Sequence, residues 1–209
     1  MLPEYSWLAW GLIILSTYLT GISKGGFAGG FGTLSVPLMA LAIDPIAAAG
    51  LLLPLLLVMD VLAVKAWWGH QDMAEVKRLI PGMAIGVVVA TLVAGSLDED
   101  HVRLLLGVIS LLFVAYMIVK PAASQPIASF WAWPAGIATG ITSFIAHAGA
   151  PPMNLYLVPR RLPKTTFIAT TTLVFAAVNT MKLPPYLWLG EINLTSIWAS
   201  LALVPGAWF

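Results

Sequence analysis

The sequence predicts an all-α, polytopic integral membrane protein with an inverted-topology repeat and a broken-helix, re-entrant-like hairpin in each half. Three observations predict this fold class: a very apolar composition, two glycine-containing breaks in apolar segments, and matching residues at one fixed spacing. Of the 209 residues, 60% are hydrophobic and 9% are charged, and the mean hydropathy is +0.93. Soluble domains carry about 25% charged residues. So short a chain has too small a core to bury this much apolar surface, so we expect it to lie in a lipid bilayer.

The composition also excludes several classes of function. The net charge of +1 gives no electrostatic footprint for nucleic acid. The chain has no cysteine, which excludes disulfide, thiol and iron–sulfur chemistry. His70, His101 and His147 are scattered, so no metal site is predicted, and no nucleotide fingerprint or other cofactor motif occurs. The first six residues carry Glu4 but no Lys or Arg, so we expect no cleaved signal peptide.

The first repeat is predicted to span residues 1–121, and its hairpin residues 6–43. Its apolar segments lie at 6–23, 30–43, 45–66, 76–96 and 102–119. A spanning helix needs about 20 residues, so the segment 30–43 is too short to cross a bilayer comfortably. It follows a glycine-rich break, and we therefore expect it to be the second arm of a hairpin. The other three segments are predicted to be ordinary spanning helices.

The second repeat is predicted to span residues 127–209, and its hairpin residues 128–159. Its apolar segments lie at 128–146, 151–159, 164–181 and 191–209. The segment 151–159 is again too short to span and again follows a break. The first half continues for nearly 40 residues beyond its Pro-Gly pair, whereas the sequence ends soon after the second such pair. We therefore expect one or two C-terminal helices to be missing.

Three matches at one spacing predict the internal repeat. The pair Gly21-Ile22 recurs at 140–141, Gly30 recurs as Gly149, and Asp60 is matched by Asn179, each 119 positions later. Basic residues at 65–78 and 160–164 and at Lys120 put those loops in the cytoplasm, and the acidic loop 97–100 outside. Corresponding loops of the two halves then lie on opposite sides, as in inverted-repeat secondary transporters.

The two breaks predict an anion-binding site. A helix that restarts after a break has unpaired backbone N–H groups and a positive dipole end, both of which bind anions. A lysine at membrane depth is costly and suggests function. The candidate binding residues are Lys24, Gly25, Gly26, Gly29, Gly30, Thr33, Ser35, His147, Gly149, Asn154, Thr171 and Asn179. The alternative is that the glycines only allow helices to pack closely.

Two titratable residues are candidates for ion coupling. Asp60 lies inside an apolar run, where it either neutralises Lys24 or carries a coupling proton. His147 titrates near neutral pH, so it either binds and carries a proton or is a neutral structural residue. Asn179, the counterpart of Asp60, has no proton to lose. Lys182 shares a helix face with Asn179 and is predicted to be an anchor at the membrane interface.

An enzyme is the second class of function that the sequence raises. Residues Gly21 to Gly25 fit the pattern G-x-S-x-G, so Ser23 and His147 would be the pair of an intramembrane serine hydrolase. That motif requires a strand–turn–helix, which this sequence does not predict. We therefore expect no enzymatic activity.

The chain resembles the sulfite exporter TauE/SafE family of membrane transporters. The resemblance rests on GISKGGFAGGFG at 21–32, VPLM at 36–39, LPLL at 53–56 with Asp60, Pro81-Gly82, SFIAHAGAPP at 143–152, Tyr156-Leu157, Asn179 with Lys182, and PPYL at 184–187. It implies transport of sulfite, thiosulfate or small organosulfonates. Family members usually run further at the C-terminus and have a fuller glycine pattern in the second half, so the two hairpin tips need not contribute equally.

Together these features predict a secondary transporter in the cytoplasmic (inner) membrane that exports small sulfur-containing oxyanions, such as sulfite or C2 organosulfonates, by alternating access. The near alternative is a channel for the same anions. The expected partners are the anionic sulfur compound and the lipid bilayer. A coupling proton or sodium ion and a homodimer are left open. Lys24→Ala is expected to abolish substrate binding.

Overall fold

The computed structural model describes residues 5–26, 31–94, 96, 98–119, 127–192, 197 and 200. This part of the chain is helical and contains no strand, which confirms the all-α prediction. Its α-helices, in chain order, are α1 (Trp7–Gly26), α2 (Ser35–Met39), α3 (Pro45–Trp67), α4 (Met73–Ala94), α5 (Glu99–Val119), α6 (Ala132–Ala146), α7 (Ala150–Leu157) and α8 (Lys164–Trp188).

Three of the described helices, α3, α4 and α8, are long and apolar enough to cross a bilayer. Large apolar side chains also face outward, among them Leu92 on α4 and Leu104, Leu111 and Ile118 on α5. Such side chains suit contact with lipid tails, and helices satisfy their own backbone hydrogen bonds there. The chain is an integral membrane protein.

Polar capping residues move two helix starts from the predicted positions. Asp72 accepts hydrogen bonds from two backbone N–H groups of the first turn of α4, at 2.9 and 3.1 Å, so α4 begins at Met73 rather than 76. Asp98 accepts from the backbone N–H of His101 at 2.9 Å, and α5 begins at Glu99 rather than 102. A side chain that satisfies N-terminal donors stabilises a turn outside the apolar run. These two starts therefore lie a few residues before the apolar runs.

The end of α8 differs from the prediction. The helix was expected to end at residue 181, before Pro184 and Pro185, but it continues to Trp188. Membrane helices tolerate proline because neighbouring groups satisfy the freed carbonyls. Lys182 consequently lies inside the helix. Of the predicted helix 191–209, only residues 191, 192, 197 and 200 are described, so most of it lies outside the described residues.

The first hairpin consists of α1, a 3₁₀ turn at Phe31–Leu34 and the short helix α2. Polar contacts join the two arms: Thr20 Oγ1 lies 2.7 Å from Ser35 Oγ, and the Ser16 hydroxyl donates to the Ser35 carbonyl at 3.0 Å. Hydrogen bonds between buried hydroxyls and backbone carbonyls fix how two helices meet in an apolar surrounding. The second arm therefore packs back on the first, although α2 is shorter than the predicted segment 30–43.

The second hairpin consists of α6 and α7, and its turn is built on His147. His147 has φ 51°, in the left-handed region that glycine usually occupies at a helix end. Its N–H donates to Ser143 O, and the N–H of Ala148 donates to Thr142 O, both at 3.1 Å. This pattern closes α6 before α7 begins at Ala150. A bulky residue held in the left-handed region is uncommon and occurs mainly where the surroundings fix it.

Glycines bring α4 and α6 into backbone contact. A Cβ atom on Gly82 would lie 2.5 Å from Trp133 O, and one on Gly136 would lie 2.6 Å from Leu79 O. Gly86 and Gly140, one turn further along each helix, are equally close to the opposite backbone. This is the small-xxx-small packing typical of membrane helices. Gly140, one of the repeat matches, therefore has the packing role that the sequence left open.

A buried carboxylate joins two basic segments at one end of the molecule. Glu75 is 2% exposed and accepts hydrogen bonds from Arg78 at 2.7 Å, Arg160 at 2.8 Å and the Tyr156 hydroxyl at 2.5 Å. The N–H of Asp72 also donates to Thr170 Oγ1 at 2.9 Å. The segments 65–78 and 160–164 therefore lie at the same end. That this end faces the cytoplasm stays a prediction from the charge pattern.

Candidate functional site

A polar cavity of about 50 Å³ lies among α1, α2, α3, α6 and α8. One water needs roughly 10–15 Å³ in this measure, so the space suits a few waters or one compact oxyanion. Its wall carries the titratable side chains Lys24, Asp60 and His147. Its polar uncharged side chains are Thr20, Ser23, Ser35, Ser143, Thr171, Thr172 and Asn179.

An ion pair forms one side of the cavity. Lys24 Nζ donates to Asp60 Oδ1, and Asn179 Nδ2 donates to Asp60 Oδ2 at 2.6 Å. The Asp60 side chain is 4% exposed and the Lys24 side chain 16% exposed. Both carboxylate oxygens are therefore satisfied, and the charge of Lys24 is compensated in this state. Asp60 therefore lies where the interpretation as the neutralising partner of Lys24 places it, and its role in ion coupling stays a prediction.

A second buried lysine, Lys182, lies behind the part of the cavity wall that Ser143 and His147 form. Lys182 is fully buried, and its Nζ contacts Ser143 O at 3.0 Å, Ser143 Oγ at 3.1 Å and His147 Nδ1 at 2.6 Å. The prediction of an interface anchor is therefore wrong, because α8 continues past Lys182 and carries it into the protein interior. His147 Nε2 lies 2.9 Å from Ala49 O. A carbonyl only accepts, so Nε2 carries the hydrogen and Nδ1 accepts from the ammonium group.

Two lysines face one carboxylate around the cavity. Lys24 and Lys182 are the basic groups, Asp60 is the acidic group, and His147 donates through Nε2 and accepts through Nδ1 in this hydrogen-bonding pattern. Asp60 is the sole carboxylate among the described residues of the wall. A surplus cation in a membrane interior is costly unless an anion joins it. The cavity is therefore suited electrostatically to an anion.

The structure places the predicted site residues in four groups. On the cavity wall are Lys24, Ser35, Asp60, His147, Thr171 and Asn179. Away from the wall are Thr33, Gly149 and Asn154, which lie in the turn before α2, at the start of α7 and within α7. Gly25 and Gly26 form the end of α1, and Gly29 and Gly30 lie outside the described residues. At the second hairpin turn, the backbone N–H groups of His147 and Ala148 donate to carbonyl groups of α6. The cavity wall there is therefore formed by side chains, those of Ser143 and His147.

Sequence reasoning did not assign Lys182, Thr20, Ser23 or Ser143 to the site. Lys182 lies three positions after Asn179, and the predicted end of that helix at residue 181 places Lys182 at the membrane surface. Thr20 lies four residues before Lys24 and three before Ser23 on α1, and these helical spacings would have indicated Thr20 beside Lys24 and Ser23 beside Thr20. Ser143 follows from the repeat, because it is the position 119 residues after Lys24.

Positions 119 residues apart meet around this cavity. The wall contains four such pairs: Lys24 and Ser143, Leu52 and Thr171, Leu56 and Phe175, and Asp60 and Asn179. The last pair is in direct hydrogen-bonding contact. Part of the cavity wall thus consists of positions that the predicted repeat would match, with different side chains in each half.

The pairing required of a serine hydrolase does not occur. The Ser23 hydroxyl is buried without a hydrogen-bond partner among the described residues. Both ring nitrogens of His147 are engaged, one by Ala49 O and the other by Lys182. A nucleophilic serine needs a base within hydrogen-bond reach.

A second cavity of about 60 Å³ lies at the opposite end of the helices. It is bordered by Ala49, Val93, Phe144, Tyr186 and Glu191, among others, and is mostly apolar. Burial raises the pKa of Glu191, and the nearby Asp44 raises it further. Ala49 belongs to this cavity, whereas His147 belongs to the polar one. The hydrogen bond between His147 Nε2 and Ala49 O therefore crosses the partition between the two cavities.

Spanning helices, two hairpins and a buried polar cavity with two lysines and one carboxylate around it define a helical membrane protein with a polar interior site. Comparison with protein families matches residues 13–209 to the family described as sulfite exporter TauE/SafE. The chain belongs to this family, whose members are membrane transporters and not enzymes. No curated protein and no solved structure matches it.

Proposed function

We propose that this protein exports small sulfur-containing oxyanions, such as sulfite or C2 organosulfonates, across the cytoplasmic membrane. The observation that carries the proposal is a polar cavity of ionic size around which two lysines face one carboxylate. To this arrangement we assign one excess positive charge. An anion that enters compensates this charge, so its binding is favoured where water is scarce. The matched family supplies the sulfur chemistry of the substrate.

The cavity offers hydroxyl donors for the oxygens of such an anion. The Ser23 hydroxyl has no partner in the described structure, and the hydroxyl group of Ser143, which accepts from Lys182, also borders the space. Hydrogen bonds to a charged acceptor are about twice as strong as those between neutral groups. We propose Lys24 as the principal charge at the first tip, with these hydroxyls as orienting donors.

The mechanism we propose is alternating access around this site. The two halves rock against each other, as inverted-repeat transporters do, and the cavity opens to one side at a time. The polar cavity and the apolar cavity lie on the two sides of His147, so movement at the second hairpin would join them in turn. Coupling is assigned to Asp60 or His147. A proton on Asp60 would release Lys24 for the substrate, which links anion binding to proton uptake.

Binding of the anion is expected to stabilise the purified protein. Sulfite at about 100 times its dissociation constant should stabilise the folded state by about 2.7 kcal/mol. The measurement is thermal unfolding in detergent with sulfite, thiosulfate, sulfate or a C2 sulfonate. Lys24→Ala should abolish the stabilisation, because it leaves the Asp60 carboxylate facing the anion. Lys65→Ala is the matched control, since Lys65 is exposed at the end of α3. Unchanged sulfite affinity in Lys24→Ala contradicts the assigned role of Lys24.

A further inference from the structure

We propose that Lys182 and His147 act as one unit that sets the charge of the substrate: a monoanion binds alone, whereas a dianion binds together with one proton that His147 takes up. This inference rests on the proposed function, because it concerns the same cavity. It assigns the fully buried Lys182 a role in specificity, and it predicts the stoichiometry of protons and anions.

The surplus charge belongs to Lys182. Its three donors are used by Ser143 O, Ser143 Oγ and His147 Nδ1, all of them uncharged acceptors. In the described part of the chain no carboxylate forms an ion pair with it, and Asp60, the nearest one across the cavity, is held by Lys24 and Asn179. Hydrogen bonds satisfy the ammonium group without cancelling its charge. Lys182 is thus the cation left for a substrate to neutralise.

His147 is arranged to accept one additional proton. Its Nε2–H is fixed on Ala49 O, so Nδ1 is the basic atom, and Nδ1 contacts Lys182 Nζ. The charged groups around the ring are Lys24 from α1, Asp60 from α3 and Lys182 from α8, and the ring of Tyr186 stacks on it at 6.5 Å. Two lysines against one carboxylate oppose a second proton while the cavity is empty. A bound dianion reverses that balance.

One hydrogen bond of Lys182 is lost when the proton binds. A protonated Nδ1 no longer accepts from Lys182, which keeps its two bonds to Ser143. The new Nδ1–H needs an acceptor, and an oxyanion in the adjoining cavity supplies one, since His147 forms part of the cavity wall. The cavity then presents two surplus positive charges to a dianion. With a neutral His147, the cavity presents one surplus positive charge, which matches a monoanion.

The test compares two anions whose charges do not change near neutral pH. Isethionate is a monoanionic C2 sulfonate, and thiosulfate is a dianion. Binding to the purified full chain is measured by calorimetry between about pH 6 and pH 8. We expect isethionate affinity to stay constant, and thiosulfate affinity to rise about tenfold for each pH unit lowered, because one proton binds with it. Calorimetry in buffers of different ionisation enthalpy should show uptake of one proton per thiosulfate and none per isethionate.

Two variants assign the effect to these residues. His147→Gly keeps the left-handed backbone position, where glycine is favoured, and removes the basic atom. It should weaken thiosulfate binding, and the thiosulfate affinity that remains should no longer depend on pH. Lys182→Met removes the surplus charge and should lose isethionate binding. If Lys182→Met does not fold, the number of protons that the unaltered protein takes up per thiosulfate still tests the proposal.

Three results would overturn the inference. They are thiosulfate affinity that does not change with pH, uptake of no proton with thiosulfate, and a pH dependence that persists in His147→Gly. A pH dependence that persists in His147→Gly would assign the coupling proton to Asp60 instead. If neither anion binds at any pH, the proposed function itself fails, which is distinct from binding of both anions without proton uptake.

Discussion

Replacing Asp60 by alanine is expected to lower the free energy of unfolding by about 3–5 kcal/mol, the range measured when one partner of a buried ion pair is removed. The loss arises because Lys24 is left uncompensated in an apolar surrounding and Asn179 Nδ2 loses its acceptor. The loss in the free energy of unfolding is measured by unfolding the purified protein in a denaturing detergent or by heat. Asp44→Ala is a useful comparison, since that carboxylate only caps α3 and its removal should cost about 1 kcal/mol.

The double variant Lys24→Met with Asp60→Asn separates charge from packing. Both charges of the pair disappear together, so most of the lost stability should return. The excess positive charge of the cavity is also kept, because Lys182 is unchanged. This variant should therefore retain weakened anion binding, in contrast to Lys24→Ala. If the double variant is as unstable as Asp60→Ala, then the pair does not stabilise the fold in the way its geometry indicates.

Replacing Gly86 by alanine is expected to separate α4 from α6. The added methyl would overlap the Ile137 carbonyl and press on Gly140, and two packed helix backbones have no flexible end that can move aside. Overpacking of a core commonly costs about 1–3 kcal/mol, and contact with a rigid backbone places this site at the upper end or beyond. The measurement is again the free energy of unfolding.

Gly107→Ala is the matched control for this prediction. Gly107 lies in α5, and a Cβ added there would meet no atom within 4 Å. Alanine also has the higher helix propensity, by about 1 kcal/mol. This variant should therefore be neutral or more stable. Equal stability of the Gly86 and Gly107 variants would mean that α4 and α6 do not cross in backbone contact.

The sequence predicted the fold class well because the cues for it are local. Apolar runs of the right length indicate spanning helices, and glycine-containing breaks indicate hairpins whatever packs around them. The neutralisation of Lys24 by Asp60 was also predictable, since two opposite charges in apolar segments must find partners. Helix ends were less predictable, because Asp72 and Asp98 cap outside the apolar runs.

The site was predicted only in part, because its second half depends on tertiary packing. Lys182 was assigned to the surface since two prolines follow it, and only the packed structure shows that α8 continues past them. The three consecutive threonines illustrate the same point: Thr171 and Thr172 border the cavity, whereas Thr170 accepts a hydrogen bond from Asp72 N–H. Which residue of such a run faces inward depends on the rotation of the helix. The repeat and its inversion stay predictions.

Sulfite flux across proteoliposomes that contain the purified protein tests the central claim most directly. A transporter with a single buried anion site should give flux that saturates with sulfite concentration, is accelerated by a proton gradient, and disappears in Lys24→Ala but not in Lys65→Ala. No steady conductance should accompany it. Flux that rises linearly with concentration and is carried as an ohmic current would instead show a channel. The absence of sulfite flux under any gradient would contradict the account.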